Sequence, residues 1–267
     1  MTLFIPKTPG REVIDGVALD TDREAEASGV TFCFTERTGG VSTGQFASLN
    51  LGAKGGDDPA RVRENRRRVL SALGAPELLE GLVVPNQVHG DEVAVLDSPS
   101  ALPASLETGA DAVVCTVPGR AVMLLYADCC PVVLVGPSCF AVVHSGWRGT
   151  LAGIAGKAAT VLAQAGGCPV GSLAAYIGPH ISAAAYEVSE ELLDRFVARF
   201  GAAARPGEGR LLDLSACIAS SLEAAGVPAG RIVDAGLCTA LGTDRFFSHR
   251  AEHGMTGRHA AVAFMRS

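Results

Sequence analysis

Apolar residues follow two different periodicities along the 267-residue chain, and strands and helices are therefore expected to be mixed over its whole length. Two runs, 121–126 and 132–135, are apolar almost throughout, as is typical of strands buried on both faces. Further strands are predicted over 30–36, 82–85, 92–96, 111–116, 139–144, 173–177, 231–235 and 260–265.

Helical spacing predicts four helices between these strands. The first begins at Asp58 and Pro59, where a cap residue precedes a proline, and it ends at Gly74. The others are predicted over 151–165, after the cap residue Ser189, and from Asp213 to Gly226. Because the helices do not alternate one for one with the strands, a Rossmann or TIM-barrel layout is disfavoured. We expect an α+β fold, with mixed β-sheets flanked by helices in a single domain over residues 1–267.

Composition limits the classes of partner. The chain is 48% hydrophobic and 19% charged, which excludes a disordered protein. Its 22 basic and 28 acidic residues give a net charge of −6, and only 5% of the residues are aromatic, so we expect no nucleic-acid partner. The longest apolar stretch, 121–135, is interrupted by polar residues, and residues 1–7 lack the pattern of a signal peptide. We therefore expect a cytoplasmic protein without a membrane partner.

Candidate chemistry lies where predicted strands end beside glycine or proline. His89, Cys129 and His144 all occupy such positions and together supply two imidazoles and a thiolate. This set suits Zn²⁺ with a fourth position left for water. Each residue taken alone also fits an ordinary core cysteine or a hydrogen-bonded histidine, and the remaining seven of the eight scattered cysteines are expected to be packing residues.

A second group of candidates is polar or cationic. Arg148 stands in a Gly-Trp-Arg-Gly segment at the predicted start of a helix, where backbone N–H groups and a guanidinium can bind an anion. Arg37 lies in a glycine-containing turn, and Asn50 is a polar residue between apolar neighbours. Surface arginines in turns remain the alternative interpretation for both arginines.

Several of these segments occur together in the order seen in a known family. They are Thr35 to Ser42, Ser48-Leu49-Asn50-Leu51-Gly52, Gly56-Asp57-Asp58-Pro59, Asn86-Gln87-Val88-His89-Gly90, Ala127-Asp128-Cys129, His144-Ser145-Gly146-Trp147-Arg148-Gly149, Gly178-Pro179, Tyr186-Glu187-Val188, Cys238-Thr239, Phe247-Ser248-His249-Arg250 and Thr256-Gly257-Arg258. Over about residues 31–265 the chain resembles the laccase-domain family of bacteria, also described as multicopper polyphenol oxidases.

The resemblance implies an α+β domain with a metal-assisted site for purine nucleosides and phosphate. The activities it implies are phosphorolysis of adenosine, inosine, guanosine and methylthioadenosine, and hydrolytic deamination of adenosine. The zinc ligands of the family fall by position on His89, Cys129 and His144. Copper is the other metal to be considered, but six histidines without a His-x-His pair cannot supply a multicopper laccase centre.

These activities assign roles to individual residues. We expect Cys129, Asp128 and Arg148 to act in catalysis, with Asp128 either carrying the proton to the leaving amine or supporting the neighbouring ligand Cys129. Arg148 and Arg37 are expected to bind phosphate, and Asn50 and Gln87 to bind the sugar or the base.

Three other functions stay open. Cys129 beside His144 or His89 also fits the nucleophile and base of a cysteine hydrolase. A copper-dependent polyphenol oxidase is a further alternative, as is a binding protein for a metal or a purine without enzymatic activity.

Overall fold

Two stacked β-sheets form the centre of the structure, a computed structural model that describes residues 4–266. The strands are β1 Gly10–Ile14, β2 Val17–Thr21, β3 Val30–Thr35, β4 Val93–Leu96, β5 Ala112–Cys115, β6 Ala121–Tyr126, β7 Cys130–Gly136, β8 Cys139–Ser145, β9 Ala174–Ile177, β10 Ile232–Asp234 and β11 His259–Met265. The helices are α1 Pro59–Ala72, α2 Ser105–Thr108, α3 Trp147–Ala152, α4 Ile154–Ala165, α5 Glu190–Phe200 and α6 Leu214–Ala224.

The two sheets differ in strand direction. The first has the order β1-β2-β3-β11-β6, and all of its neighbouring strands are antiparallel. The second has the order β10-β9-β7-β8-β5-β4 and is mixed, because its two edge pairs are parallel and the pairs between them are antiparallel. The predicted α+β class with mixed sheets and flanking helices is confirmed.

Three apolar clusters hold these layers together. Phe32 and Phe34 of the first sheet pack with Val133 and Tyr176 of the second, which buries the inner faces of both sheets. The outer face of the second sheet is covered by α4, α5 and α6, and that of the first sheet by α1. Strands β6, β7 and β8 are therefore buried on both faces, which explains their nearly continuous apolar sequences.

Three of the predicted helix starts are confirmed by their caps. The carboxylate of Asp58 accepts a hydrogen bond from the backbone N–H of Ala60 at the start of α1. Ser189 caps α5 through the N–H of Leu192, and Asp213 caps α6 in the same way. Each cap satisfies an N–H group that the first turn of a helix leaves without a partner.

The segment predicted as one helix over 151–165 is two helices, and the prediction was wrong in this respect. The break lies at Gly153, whose φ of 84° is in the left-handed region that favours glycine. A Cβ at this position would also approach Nη2 of Arg199 to 2.7 Å. Helix α3 begins at Trp147, earlier than predicted, and α4 follows the break.

In the first half of the chain one strand prediction was wrong and one hairpin was missed. Residues 82–85 do not form a strand, since Val83 makes only an isolated bridge to Val122 and Pro85 has no N–H to continue it. The hairpin of β1 and β2 was missed. Its turn, Asp15-Gly16, has positive φ at both residues (50° and 82°), and this Asp-Gly pair between apolar residues was the available signal.

Among residues 4–266, no helix has both the length and the apolar character needed to cross a membrane. The prediction about a signal peptide concerns residues 1–7, of which residues 1–3 lie outside the described residues, and it stays a prediction.

His259, the first residue of β11, makes stability depend on pH. It is fully buried beside Tyr126 and Phe246, and its ring makes no hydrogen bond of ordinary geometry with the described residues. Burial lowers its pKa to about 3, the charges of Arg258 and Arg37 act in the same direction, and the Pro179 carbonyl opposes them. The neutral imidazole is therefore strongly favoured in the folded protein.

We expect the free energy of unfolding to fall with decreasing pH below about 6.5, the ordinary pKa of histidine, because the unfolded chain then binds a proton that folded His259 does not. The contribution is at most about 1.4 kcal/mol per pH unit. The melting temperatures of the wild type and His259→Phe, measured between about pH 6.5 and 5, should show a shallower slope for the variant. Asp20, whose pKa burial raises to about 6, is common to both proteins and cancels in the difference. Equal slopes would contradict the prediction.

Candidate metal centre

The three predicted metal ligands come together at one end of the second sheet. His89 lies in the loop before β4, Cys129 in the turn between β6 and β7, and His144 near the end of β8. Antiparallel pairing places Pro131 opposite His144, and this brings the turn that carries Cys129 to the end of β8. One ligand atom of each residue lies within 4.8 Å of those of the other two.

Asp111, which sequence reasoning missed, ties the parts of this centre together. It precedes β5, and the pairing of β5 with β8 sets it beside His144. Its Oδ1 lies 2.7 Å from Nδ1 of His144 and also accepts the backbone N–H of His89 at 3.0 Å. Its Oδ2 accepts the N–H groups of Gly90 and Val88. The contact with Nδ1 leaves Nε2 of His144 for a metal, the usual arrangement of a carboxylate behind a ligating histidine.

The backbone is strained at two positions of the centre. His89 has φ of 61° and Asp128 has φ of 87°, although neither is a glycine. At His89 the cost of this strain is offset by Asp111, whose carboxylate accepts hydrogen bonds from three backbone N–H groups. Such strain is retained where the surrounding contacts enforce it, and it is common at functional sites.

Glycine at position 146 leaves room beside the ligands. A Cβ on Gly146 would lie 3.0 Å from Sγ of Cys129 and 3.3 Å from Cδ2 of His89. The rings of His89 and His144 meet nearly at right angles, with their centroids 4.8 Å apart. Two imidazoles and a thiolate at this spacing, with an open side, fit a tetrahedral metal ion that keeps one position free.

The charges of the centre favour a thiolate. Burial raises the pKa of the Cys129 thiol, but the imidazoles of His144 and His89 outweigh it and hold the pKa below its ordinary value. Burial likewise lowers the pKa of His144, while the Cys129 thiolate and the Asp111 carboxylate raise it above its ordinary value. A deprotonated thiol is the form that binds metal and the form that acts as a nucleophile.

Asp128 is buried and bound by protein groups. Its Oδ1 accepts the hydroxyl of Thr239 at 2.6 Å, and its Oδ2 accepts the backbone N–H of Arg250 at 2.6 Å. These bonds orient the residue that precedes Cys129. Its role as a proton carrier stays a prediction.

Three predicted substrate contacts are residues whose polar groups bind the protein itself. The guanidinium of Arg37 donates to the carbonyls of Ala47 and Thr243 and to Glu252. The buried amide of Asn50 bonds to Gly52, Asp57 and the N–H of Arg258. The amide of Gln87 makes two bonds to the backbone of Leu125. These contacts give each residue a structural role, and binding of substrate by them stays a prediction.

Arg148, in contrast, is exposed beside a cleft. Its guanidinium carbon lies 4.3 Å from the centroid of the Trp147 ring. The cleft has a volume of about 540 Å³ and is lined by Trp147, Tyr186, Glu187, Val188, Ser189, Leu192, Arg210 and Arg250. Sequence reasoning had not assigned this cleft to the site, because its lining residues come from four separate segments.

Comparison with known proteins identifies the relatives of the chain. A family model described as multi-copper polyphenol oxidoreductase laccase matches residues 31–266. A purine nucleoside phosphorylase of Xylella fastidiosa (strain Temecula1) is 38% identical over 250 residues, which cover 89% of this chain and 93% of that protein. A purine nucleoside phosphorylase of Pseudomonas aeruginosa is 36% identical over 247 residues, covering 89% of this chain and 94% of that protein.

Solved structures show the same fold. The crystal structure of YlmD from Geobacillus stearothermophilus has a TM-score of 0.84 at 30% identity and covers 98% of this chain and 100% of that chain. A Bacillus licheniformis protein, YfiH, has a TM-score of 0.83 at 28% identity, covering 94% of this chain and 97% of that chain. The resemblance found in the sequence is thereby confirmed, and the chain belongs to the multi-copper polyphenol oxidoreductase laccase family.

Proposed function

We propose that the chain is a zinc-dependent purine nucleoside phosphorylase that also deaminates adenosine, acting in the cytoplasm. Its substrates are adenosine, inosine, guanosine and methylthioadenosine, together with phosphate. The convergence of His89, Cys129 and His144 within 4.8 Å is the observation that carries this proposal. The names of relatives that cover most of the chain support the phosphorylase part of it.

Phosphorolysis breaks the bond between the sugar C1′ and the purine nitrogen and forms a bond from C1′ to a phosphate oxygen. The products are the free purine and ribose 1-phosphate, and the purine takes up a proton as it leaves. The protein has to hold phosphate close to C1′ and stabilise the positive charge that develops on the sugar. Arg148, whose guanidinium is exposed, is assigned to the phosphate.

Zinc held by His89, Cys129 and His144 would supply a Lewis acid. The residues of the chain hold that position through their own contacts. Asp111 fixes the ring of His144 and the loop of His89, and Thr239 with the N–H of Arg250 fixes Asp128 next to Cys129.

Deamination exchanges the amino group of adenine for an oxygen from water and releases ammonia. An acid has to protonate the leaving amine, and Asp128 is the candidate closest in sequence to Cys129. Because both of its carboxylate oxygens accept hydrogen bonds, its contribution includes the orientation of Cys129. In this proposal Arg37 remains a phosphate-binding residue, and Asn50 and Gln87 remain the residues that bind the sugar or the base.

A cysteine hydrolase is the second candidate function, and one observation favours it. Asp111, His144 and Cys129 form a chain in which the carboxylate holds Nδ1 of the histidine and the histidine lowers the pKa of the thiol. This order of acid, base and nucleophile is that of a catalytic triad. His89 distinguishes the two candidates, because it is a ligand in the metal centre and has no role in the triad.

A copper-dependent polyphenol oxidase has less support. Among the described residues, one group of three or more ligand-type side chains lies close enough together to hold a metal ion, and it suffices for one ion. A blue-copper centre with a trinuclear cluster needs many more imidazoles than the six histidines of the chain provide. Copper at the same three ligands is the remaining form of this alternative.

The first prediction from the proposed function concerns the metal ligands. We expect the wild type to bind about one zinc per chain and to convert adenosine and phosphate to adenine and ribose 1-phosphate. His89→Ala and Cys129→Ala should lose both the zinc and this activity. The measurements are metal content by mass spectrometry and chromatography of the products. His249→Ala, an exposed histidine outside the centre, serves as the control and should retain both. A wild type without turnover on any purine nucleoside would refute the proposed function.

The second prediction concerns Asp111. We expect Asp111→Asn to weaken zinc binding by about tenfold to a hundredfold, because the carboxylate behind His144 and the acceptor for the loop of His89 are both altered. Competition with a chromophoric chelator measures the affinity. Circular dichroism checks that the variant is folded, and an unchanged zinc affinity in a folded variant would contradict the role given to Asp111.

The third prediction separates zinc from cysteine chemistry. We expect phosphorolysis to disappear when zinc is removed by a chelator and to return when zinc is added back. A metal-free protein that keeps full activity, and loses it when iodoacetamide alkylates Cys129, would establish the hydrolase-type mechanism instead.

A further inference from the structure

Trp147, one of the residues that line the cleft beside the candidate metal centre, carries two guanidinium groups on its ring. The guanidinium carbons of Arg148 and Arg195 lie 4.3 Å and 5.9 Å from the centroid of the Trp147 ring. Arg195 is on α5, three residues after Leu192, which lines the cleft, so both side chains extend from the same face of the helix. Residues distant in sequence thus place two positive charges against Trp147, at the border of the cleft.

These two arginines differ from their neighbours in having no acceptor. Within residues 4–266, neither Arg148 nor Arg195 forms an ion pair or donates a side-chain hydrogen bond. Arg210, in contrast, pairs with the carboxylate of Glu187, and Arg250 donates to the Glu187 carbonyl. The acidic residue of the cleft is therefore already neutralised, while the charges on Trp147 are not.

Two of the residues that line the cleft, Trp147 and Arg250, are connected to the candidate metal centre. Trp147 directly follows Gly146, whose added Cβ would lie 3.0 Å from Sγ of Cys129. Arg250 binds the carboxylate of Asp128 through its backbone N–H at 2.6 Å, and Asp128 directly precedes Cys129. A small molecule in this cleft would therefore lie on the side of the molecule where Gly146 and Asp128 flank the ligand Cys129.

Tyr186 adds a neutral donor to the cleft. Burial, together with the charge of Cys129, raises the pKa of its phenol to about 12. Its hydroxyl therefore keeps its proton at neutral pH and is available as a donor to an anion.

We propose that this cleft is the phosphate subsite of the enzyme, and that Arg195 binds phosphate there together with Arg148. This inference rests on the proposed function, because that function requires phosphate beside the nucleoside. Guanidinium groups that are stacked on an aromatic ring keep their N–H donors free at the edge, where they bind phosphate oxygens in pairs. The indole fixes the two side chains in place, which reduces the entropy that they lose when phosphate binds.

Direct binding of inorganic phosphate to the zinc-loaded protein tests the subsite. We expect Arg195→Gln to raise the Kd for phosphate, measured by isothermal titration calorimetry, by roughly five- to tenfold, since a charge-assisted contact is lost. Arg195→Lys should restore part of this loss. Arg199→Gln is the matched control: Arg199 lies one turn further along α5, but its guanidinium donates to the carbonyl of Ala152.

Turnover gives a second measurement. Arg195→Gln should raise the KM for phosphate with little change in the KM for adenosine or in kcat, and it should not alter deamination, which uses no phosphate. An Arg195→Gln variant that matches Arg199→Gln in phosphate Kd would overturn the inference.

Two further outcomes distinguish a failure of the phosphate subsite from a failure of the proposed function. A wild type that binds phosphate through Arg195 but catalyses no phosphorolysis would retain the subsite and overturn the proposed function. Binding of adenosine 5′-monophosphate tests whether the cleft holds inorganic phosphate or the phosphate of a nucleotide. Arg195→Gln could bind this nucleotide more weakly and inorganic phosphate as tightly as the wild type. That result would place the phosphate of a nucleotide in the cleft and overturn the assignment to the co-substrate.

Discussion

The carboxylate of Asp111 is the contact on which the geometry of the centre depends. It lies where β5 begins, and it holds both a histidine of the neighbouring strand and a loop with a strained backbone. A ligand on a rigid strand and a ligand on a loop are thereby fixed by one buried group. Because a carboxylate also raises the basicity of the histidine it contacts, this residue sets the orientation of His144 and its strength as a metal ligand or as a base. The metal site and the cysteine triad therefore share the same support.

Much of the fold could be predicted from local patterns. Strands buried on both faces, such as β6 and β8, are continuous apolar runs, and the helices α1, α5 and α6 begin at cap residues that the sequence displays. The order of the strands could not be predicted in this way, since β11 lies between β3 and β6 only because of contacts between distant segments. Gly153 shows a related limit: its apolar neighbours keep helical spacing on both sides of the break.

The candidate site, too, could be predicted from the sequence only in part. The types of His89, Cys129 and His144, and their places at strand ends, were sufficient to propose a metal centre, and the family motifs supplied their grouping. Asp111 was not found, because only the pairing of β5 with β8 shows that it faces His144. The hydrogen bonds of Asn50 and Gln87 were likewise invisible, since a buried amide that binds backbone and one that binds a ligand look alike in sequence. The position of Arg195 could not be predicted either, because its guanidinium lies over the Trp147 ring only through the packing of α5.

Strand β11 has a consequence for how the protein is made. It pairs with β3, which lies far from it in the sequence, so the first sheet stays divided until β11 has left the ribosome. Until then β3 and β6 each present an unpaired edge, and open edges of apolar strands invite pairing with other chains. Strand β5, which Asp111 precedes, and strand β8, which carries His144, are close in sequence and can pair much earlier. Synthesis thus allows the neighbourhood of the candidate metal centre to form first and the first sheet to close later, and the nascent chain is most exposed to aggregation in the interval.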